Sequence, residues 1–254
     1  MKFWHGACAF LLGFIPVAVA TLPAAALAPL LAHALPPTRD GAPRLQLYAA
    51  SGTIWQGAGL MGVAQTSRAL PIAWSLDASQ VWRGELALDL RGAPPSPQAR
   101  LTLGASGWSL NNLAVTVPAE WLHAALGLDQ GYRLGGTIAL ASTALSAGYS
   151  SAPTGGLTGA WRGAAVALIP VAPLGDFNFI GSVQQGRLRG TLTSASSTQA
   201  MTAALTITLP PERGAPPVSG LLKAQGDAAQ RLTPYLLQFG QNAPDGAVKV
   251  PPDP

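Results

Sequence analysis

Cysteine and charge are both scarce in this chain of 254 residues. Cys8 is the only cysteine, so no disulfide can form within the chain, and a stable body must rest on a packed core. Charged residues make up 10% of the sequence, well below the roughly 25% of an ordinary soluble domain. The basic residues behind the net charge of +4 are spaced singly, without the basic stripe that binds nucleic acid. We therefore predict no nucleic-acid partner.

Residue patterns for catalysis are scarce as well. Of the three histidines, His5 and His33 lie in or beside an apolar N-terminal segment, which leaves His123 alone in the body. A zinc site needs three or four Cys, His or carboxylate ligands at matched spacing. The Gly-x-Ser-x-Gly elbow of serine hydrolases and the Gly-x-x-x-x-Gly-Lys phosphate loop do not occur. We predict no enzyme activity, no catalytic or metal-binding residues and no cofactor, and we place His123 on a short helix beside Trp121 and Leu122.

The N-terminal segment has the length of a membrane anchor. No charged residue occurs from Phe3 to Leu22, and about 20 apolar residues suffice to cross a bilayer as a helix. Lys2 before this stretch favours a cytoplasmic N-terminus. Ala18-Val19-Ala20 has the form of a signal-peptidase site, so a cleaved signal peptide is the alternative. The length of the apolar run favours a retained anchor. With either a retained anchor or a cleaved signal peptide, the body is exported from the cytoplasm.

Four segments follow from this pattern. We predict a membrane anchor over residues 1–35, a Pro-rich linker over 36–44, a β-rich periplasmic domain over 45–250 and a disordered tail over 251–254. The predicted location is the bacterial inner membrane, with a single membrane span and the body in the periplasm.

Short runs of alternating apolar residues dominate the body. Leucines alternate with polar or small residues over 85–91, and similar alternation recurs over 113–117 and 204–209. This period of two is typical of strands in antiparallel sheets with one buried face. The 29 glycines and 23 prolines divide the runs at short intervals and exclude long helices in the body. The sequence thus predicts a mainly β fold built on a long antiparallel sheet.

Two short helices are predicted at the ends of the sheet. One spans Ala119 to Leu128 after Pro118. The other takes Thr233 as its N-cap and Pro234 as its first residue, and ends at Gly240. Because aromatic side chains dominate cores, most of the tryptophans in the body are expected to be core residues, with one or two at an interface. These are Trp55, Trp74, Trp82, Trp108, Trp121 and Trp161.

Several motifs in this order resemble general secretion pathway protein N, a component of the bacterial type II secretion system. They are Gly52-Thr53-Ile54-Trp55-Gln56-Gly57, the run from Leu70 to Asp77, Pro118-Ala119-Glu120-Trp121-Leu122, Leu134-Gly135-Gly136-Thr137-Ile138 and Pro173-Leu174-Gly175-Asp176-Phe177. The resemblance implies an inner-membrane protein without catalysis that accompanies the export of folded proteins across the outer membrane. Through its similarity to AsmA-like envelope proteins it also implies a curved sheet shaped as a groove or a sandwich.

Two hypotheses of different classes follow. The first is an accessory structural component of type II secretion that acts through contacts with other inner-membrane and periplasmic components of the system. The second is a lipid-binding or lipid-transfer protein, in which the uncovered apolar face of a sheet contacts acyl chains.

Overall fold

Antiparallel strands make up most of the molecule. The structure is a computed structural model that describes residues 21–32, 44–64, 66, 69–91, 97–126, 133–210 and 216–251. The strands are β1 (Leu45–Gly52), β2 (Gln56–Val63), β3 (Ala69–Asp77), β4 (Leu86–Arg91), β5 (Gln98–Gly104), β6 (Gly107–Pro118), β7 (Leu134–Gly148), β8 (Thr154–Val166), β9 (Gly175–Gln184), β10 (Arg187–Ser194), β11 (Met201–Leu209), β12 (Val218–Ala224), β13 (Gln241–Asn242) and β14 (Val248–Val250).

The strands form a single open sheet that follows the chain. Its order is β1 to β12 in sequence, then β14, with β13 at the far edge. A meander of this kind needs only short connections, which the Gly- and Pro-rich turns provide. The prediction of a mainly β fold with one long antiparallel sheet is confirmed. The described strands belong to one open sheet, not to two sheets packed as a sandwich.

Residues 21–32 pack against the sheet, although the sequence assigns them to the membrane anchor. The amide of Ile54 donates to the carbonyl oxygen of Leu22 at 3.0 Å, and Pro23 forms an isolated bridge with Thr53. A 3₁₀ turn at Ala24–Ala26 leads into helix α1 (Leu27–Ala32), which contacts β1.

The membrane anchor itself stays a prediction. Residues 1–20 and 33–43, which hold most of the predicted anchor and linker, lie outside the described residues, as does the tail from 252. Within the described part of the chain, no helix is long and apolar enough to cross a membrane. The domain boundaries are likewise predictions.

The two predicted helices exist, with one correction. Helix α2 (Ala119–Leu126) follows Pro118 as expected. Helix α3 (Ala229–Leu236) starts earlier than predicted, so that Pro234 lies inside it and the Thr233 hydroxyl donates to the Ala229 carbonyl at 2.7 Å. The N-cap prediction at Thr233 is therefore wrong.

Burial explains the earlier start of α3. Leu232 and Leu236 lie one helical turn apart and are 0% and 2% exposed. A helix that began at Pro234 would lose the first of these two contacts. The apolar area that both leucines bury outweighs the one backbone hydrogen bond that Pro234 removes.

Two separate clusters of buried side chains hold the sheet. The N-terminal cluster consists of Ala24, Ile72 and Trp74, with Leu27, Leu47, Ala50, Met61, Leu88 and Leu90 packed against it. The C-terminal cluster consists of Ala164, Val171, Leu174, Phe177, Ala203, Ala224, Leu232, Leu236 and Val248. Each cluster is closed by a segment outside the sheet: residues 21–32 at one end, and α3 with the β8–β9 connection at the other. Among the described residues, strands β5, β6 and β7 contribute none to either cluster, although Ala99 and Val117 on them are 7% and 2% exposed.

Candidate interaction surfaces

One face of the sheet is apolar across nearly its whole width. Residues directly opposite each other on paired strands share a face. Trp74 pairs with Leu90, Leu88 pairs with Leu101, and Leu101 pairs with Leu110. The same face continues across the other strands through Leu145, Val115, Leu140, Trp161, Phe177, Phe179, Leu192, Leu205, Leu222 and Val248.

Small bulges keep this face continuous. Asn112 has φ 52°, and the pairing of β6 with β5 shifts by one residue at this point. Without the extra residue, Leu110 and Leu113 would point to opposite faces, because side chains alternate along a strand. The bulge thus lets both leucines lie on the apolar face.

The opposite face carries ion pairs and many small side chains, although Tyr48, Leu60, Ile180 and Leu221 are also exposed on it. Arg100 lies 3.8 Å from Asp89 and 4.0 Å from Asp77, and Arg162 lies 3.8 Å from Asp176. Exposed ion pairs of this kind contribute little to stability. Their effect is to keep this face in water, so that the sheet is amphipathic.

The apolar face is unevenly covered. Trp74 at one end and Phe177 at the other are 4% and 1% exposed. In the middle, Leu101, Leu110 and Leu140 are only half-buried, and Leu103 is 40% exposed. A sheet face without a second layer leaves apolar area in contact with water, which is unfavourable unless another apolar surface covers it.

A shallow depression lies mainly on the polar face of β5 to β8. Its volume is about 330 Å³. Small side chains create it, because alanine, threonine and glycine stand where the neighbouring region has arginine and aspartate. The lining residues are Gln98, Ala114, Val115, Thr116, Ala139, Leu140, Ala141, Thr158, Gly159 and Ala160. None of them carries a charge, so the depression lacks the groups that polarise a bond or hold an ion.

The two edges of the sheet differ in length. β1 has eight residues, whereas β13 at the other edge has two. A short edge strand is a poor template for pairing, and a longer one exposes unpaired N–H and C=O groups. β1 is therefore the edge that can accept a strand from another protein, although Ala49 with φ 48° and a shift in register interrupt it.

The tryptophans differ in burial, and the expectation that most of them are core residues holds for some. Trp74 is buried and its indole nitrogen donates to the Ile54 carbonyl at 3.2 Å. Trp161 is half-buried in the C-terminal cluster and donates to the Gly135 carbonyl at 2.8 Å. Trp82, by contrast, is 95% exposed.

His123 lies on α2 as predicted, and its side chain is 4% exposed. Both of its ring nitrogens and the indole nitrogen of Trp121 are buried without a hydrogen-bond partner. In the described part of the chain, no three His, Cys, Asp or Glu side chains lie close enough to hold a metal ion. The absence of a metal site and of catalysis stays a prediction.

The motif Pro173-Leu174-Gly175-Asp176-Phe177, one of those that carry the family resemblance, contributes to the core. Leu174 and Phe177 are buried in the C-terminal cluster. The carboxylate of Asp176 between them accepts a hydrogen bond from the Gly163 amide at 2.8 Å, where the register of β8 against β9 shifts. These contacts show a structural role for the motif.

A glycine spacing in β2 has a similar explanation. Gly57, Gly59 and Gly62 match the Gly-x-Gly-x-x-Gly pattern of dinucleotide-binding loops. They lie within a strand, however, and not in a turn that opens a helix. A Cβ atom at Gly57 would come within 2.5 Å of the Trp74 ring, and one at Gly62 within 2.7 Å of the Tyr48 ring. These glycines make room for aromatic rings on the sheet.

The turn between β3 and β4 is held by a carboxylate. Asp77 caps a 3₁₀ helix at Ala78–Arg83, and its Oδ1 accepts hydrogen bonds from the Ser79 amide at 2.9 Å and the Ser79 hydroxyl at 2.6 Å. The hydrogen bonds from Ser79 hold the pKa of Asp77 below its usual value, and the nearby Arg100 acts in the same direction.

Three comparisons with known proteins give one match, to a family model. A search of curated proteins found no match, and a search of solved structures found none either. The family model described as type II secretion system (T2SS), protein N, matches residues 43–251. That range begins just before β1 and ends just after β14, so it covers the whole described sheet. The chain belongs to the type II secretion system protein N family.

Proposed function

We propose that the protein is an accessory, non-enzymatic component of the type II secretion system, anchored in the inner membrane with its sheet in the periplasm. Family membership supports a role in this system and makes its other components the partners. The proposal adds the location, the membrane anchor and the mode of action. The mode of action is pairing of a partner strand with the β1 edge, in the manner of β-strand addition.

The observation that carries this mode of action is the contrast between the two edges. β1 offers eight residues and β13 only two. Tyr48 on β1 is 49% exposed, and Ile180 on the same face of the central strand β9 is 66% exposed. These two positions therefore differ in their distance from the edge and little in their access to water.

Site-specific photo-crosslinking in intact cells tests the edge. A crosslinking amino acid at Tyr48 is expected to capture another component of the secretion system, and the same amino acid at Ile180 is not. Equal capture at both positions, or none at either, would contradict a contact through the β1 edge. Family membership does not depend on this result.

A second function is favoured by the half-buried middle of the apolar face. There Leu101, Leu110 and Leu140 lack the cover that closes both ends of the sheet. Acyl chains of a lipid match such a surface, because they are apolar and flexible. This is the lipid-binding alternative.

Deletion of the gene separates the two functions. Loss of exoprotein secretion with an intact outer-membrane barrier would support the secretion role. Normal secretion with a permeable barrier would favour lipid handling. A photo-crosslinker at Leu101, with Thr102 on the opposite face as its matched control, then shows directly whether lipid occupies the apolar face.

A further inference from the structure

One end of the strands carries a row of exposed apolar side chains. The turns β1–β2, β3–β4, β5–β6, β7–β8 and β9–β10 all lie at this end, since the strands are antiparallel and in register. We call this end the first rim. The exposed residues at or next to it are Leu22, Val81, Trp82, Leu103, Tyr149 and Leu209, whose side chains are 38–95% exposed.

The opposite end differs. Of the described residues in its connections, the large apolar side chains with comparable exposure are Leu168, Leu237 and Phe239, at 54%, 39% and 46%. The two ends therefore differ in the kind of exposed side chain: among the described residues of the connections, the exposed tryptophan and tyrosine, Trp82 and Tyr149, lie at the first rim. A tryptophan side chain stabilises a fold when it is buried, so a largely exposed tryptophan is unusual. An exposed row that includes one indicates a surface that contacts something else.

The exposure of Trp82 is built into the turn. Asp77 caps the 3₁₀ helix that carries it, and the amide of Gly84 donates to the Val81 carbonyl at 2.9 Å. Gly84 adopts φ 72°, a conformation that glycine enters without strain. The backbone thus holds Val81 and Trp82 outward at a defined place on the rim.

Tyr149 is held at the same rim. Its hydroxyl donates to the Gly104 carbonyl at 3.0 Å and its amide donates to the Ser106 carbonyl at 3.2 Å. The polar tip of the side chain is thereby satisfied, while 69% of the residue stays exposed. Four strand spacings separate this turn from the β3–β4 turn, so the row extends roughly 19 Å along the rim.

The chain enters the sheet at this rim. Leu22, which lies within the uncharged stretch from Phe3 to Thr38, accepts a hydrogen bond from Ile54 in the β1–β2 turn. The part of this stretch from Phe3 to Leu22, about the length that crosses a bilayer as a helix, leads directly to the rim. If the stretch crosses the bilayer as the proposed function requires, Leu22 emerges at the membrane surface and brings the first rim with it.

We propose that the first rim rests on the surface of the membrane that holds the anchor, with Val81, Trp82 and Tyr149 in the lipid head-group region. Tryptophan and tyrosine favour this region because their rings are apolar and their N–H or O–H group is polar. Arg83, which follows Trp82 and is exposed, suits the anionic head groups there. The inference rests on the membrane anchor of the proposed function. It places the strands upright on the bilayer, with the opposite end farthest from it.

The test uses the full chain in vesicles of phosphatidylethanolamine and phosphatidylglycerol. Cys8→Ser removes the only cysteine, and Val81→Cys, Tyr149→Cys or Leu168→Cys then introduces a single site for an environment-sensitive fluorophore. Val81 and Leu168 are 51% and 54% exposed, so they form a matched pair at opposite ends of the strands. Blue-shifted emission and quenching by lipids with a head-group-level quencher are expected at 81 and 149 and not at 168.

Two outcomes contradict the inference in different ways. Alkaline extraction and the mass of the chain show whether residues 1–20 are retained in the bilayer. If the chain is released or cleaved, the anchor of the proposed function fails and the rim contact fails with it. If the chain is retained and position 81 is quenched no more than position 168, the rim contact alone is wrong. The rim contact is also wrong if the fluorophore at position 81 is shielded by another protein and is not quenched by lipid.

Discussion

The apolar face of the sheet is covered differently at its two ends and in its middle. At each end a segment outside the sheet closes the apolar face: Ala24 packs on Ile72 and Trp74, and α3 packs on the last strands. Between them, side chains such as Leu101 and Leu140 lie on the same face and are only half-buried. The two described clusters thus lie at the ends, whereas the apolar face is less covered in the middle, where Ala99 and Val117 are nevertheless buried.

The largest effect is expected in the C-terminal cluster. Phe177→Ala removes a side chain that is 1% exposed and whose ring centre lies 6.1 Å from that of Trp161. The expected loss is about 3–5 kcal/mol in the free energy of unfolding, typical of a buried phenylalanine. Denaturant unfolding of the full chain measures it, with the exposed Ile180→Ala as a control of small effect. Hydrogen exchange should accelerate in β8–β12 far more than in β1–β4, and a uniform increase would show that the two clusters form one cooperative unit.

A smaller effect is expected in the N-terminal cluster. Trp74→Phe keeps an aromatic ring but removes the hydrogen bond to the Ile54 carbonyl at 3.2 Å. The free energy of unfolding should fall by about 1–2 kcal/mol, from the lost bond and the smaller ring. Trp82→Phe at the exposed rim is the matched control and should leave it unchanged. Faster exchange confined to residues 21–32 and β1–β3 would confirm that this cluster is local.

The middle of the sheet should tolerate substitution best among the apolar positions. Leu101→Thr introduces a β-branched side chain, which suits a strand, and removes apolar area that is only half-buried, so a loss of about 1 kcal/mol or less is expected. A loss as large as that of Phe177→Ala would show that the middle is a core and not an open surface. In the lipid-binding alternative, the same substitution lowers capture of lipid at Leu110, while Thr102→Ser does not.

The smallest effect concerns the turn that presents Trp82. The pKa of Asp77 is lower in the folded chain than in the unfolded chain, so this carboxylate stabilises the fold above its unfolded pKa, about 3.9. That contribution is lost as the pH falls through the lower, folded value. Asp77→Asn retains a good capping residue without the charge. Between about pH 2 and 4, the free energy of unfolding should fall less steeply with decreasing pH in the variant than in the wild type. Identical slopes would show that Asp77 does not contribute to the loss of stability in acid.

The strands were the most predictable part of the fold. Alternating leucines over 85–91 and alternating apolar residues over 113–117 gave the correct faces, because the period of two along a strand needs no knowledge of its neighbours. The start of α3 was missed, since it depends on two leucines meeting the last strands rather than on the proline near its end. The packing of residues 21–32 on the sheet was missed because it also depends on tertiary contacts. An apolar segment that faces lipid has the same local sequence pattern as one that packs on another part of the protein.

The surfaces were less predictable than the strands. Six tryptophans look equivalent in the sequence, yet Trp74 is 4% exposed and Trp82 is 95% exposed. Trp74 lies on a strand whose face is covered by Ala24, whereas Trp82 lies on a turn with nothing described above it. The position of a residue relative to distant segments decides its burial, and no local pattern records that position.

The sequence by itself determined the class of the fold, the family and the amphipathic character of the strands, because strand periodicity and turn residues act over a few neighbouring positions. Only the tertiary structure decided where the apolar face is covered, which edge is long enough to accept a partner strand, and which end of the strands the N-terminal segment joins. Each of these depends on contacts between residues far apart in the chain, such as Leu22 with Ile54 and Leu236 with the last strands, and such contacts exist only once the sheet has formed.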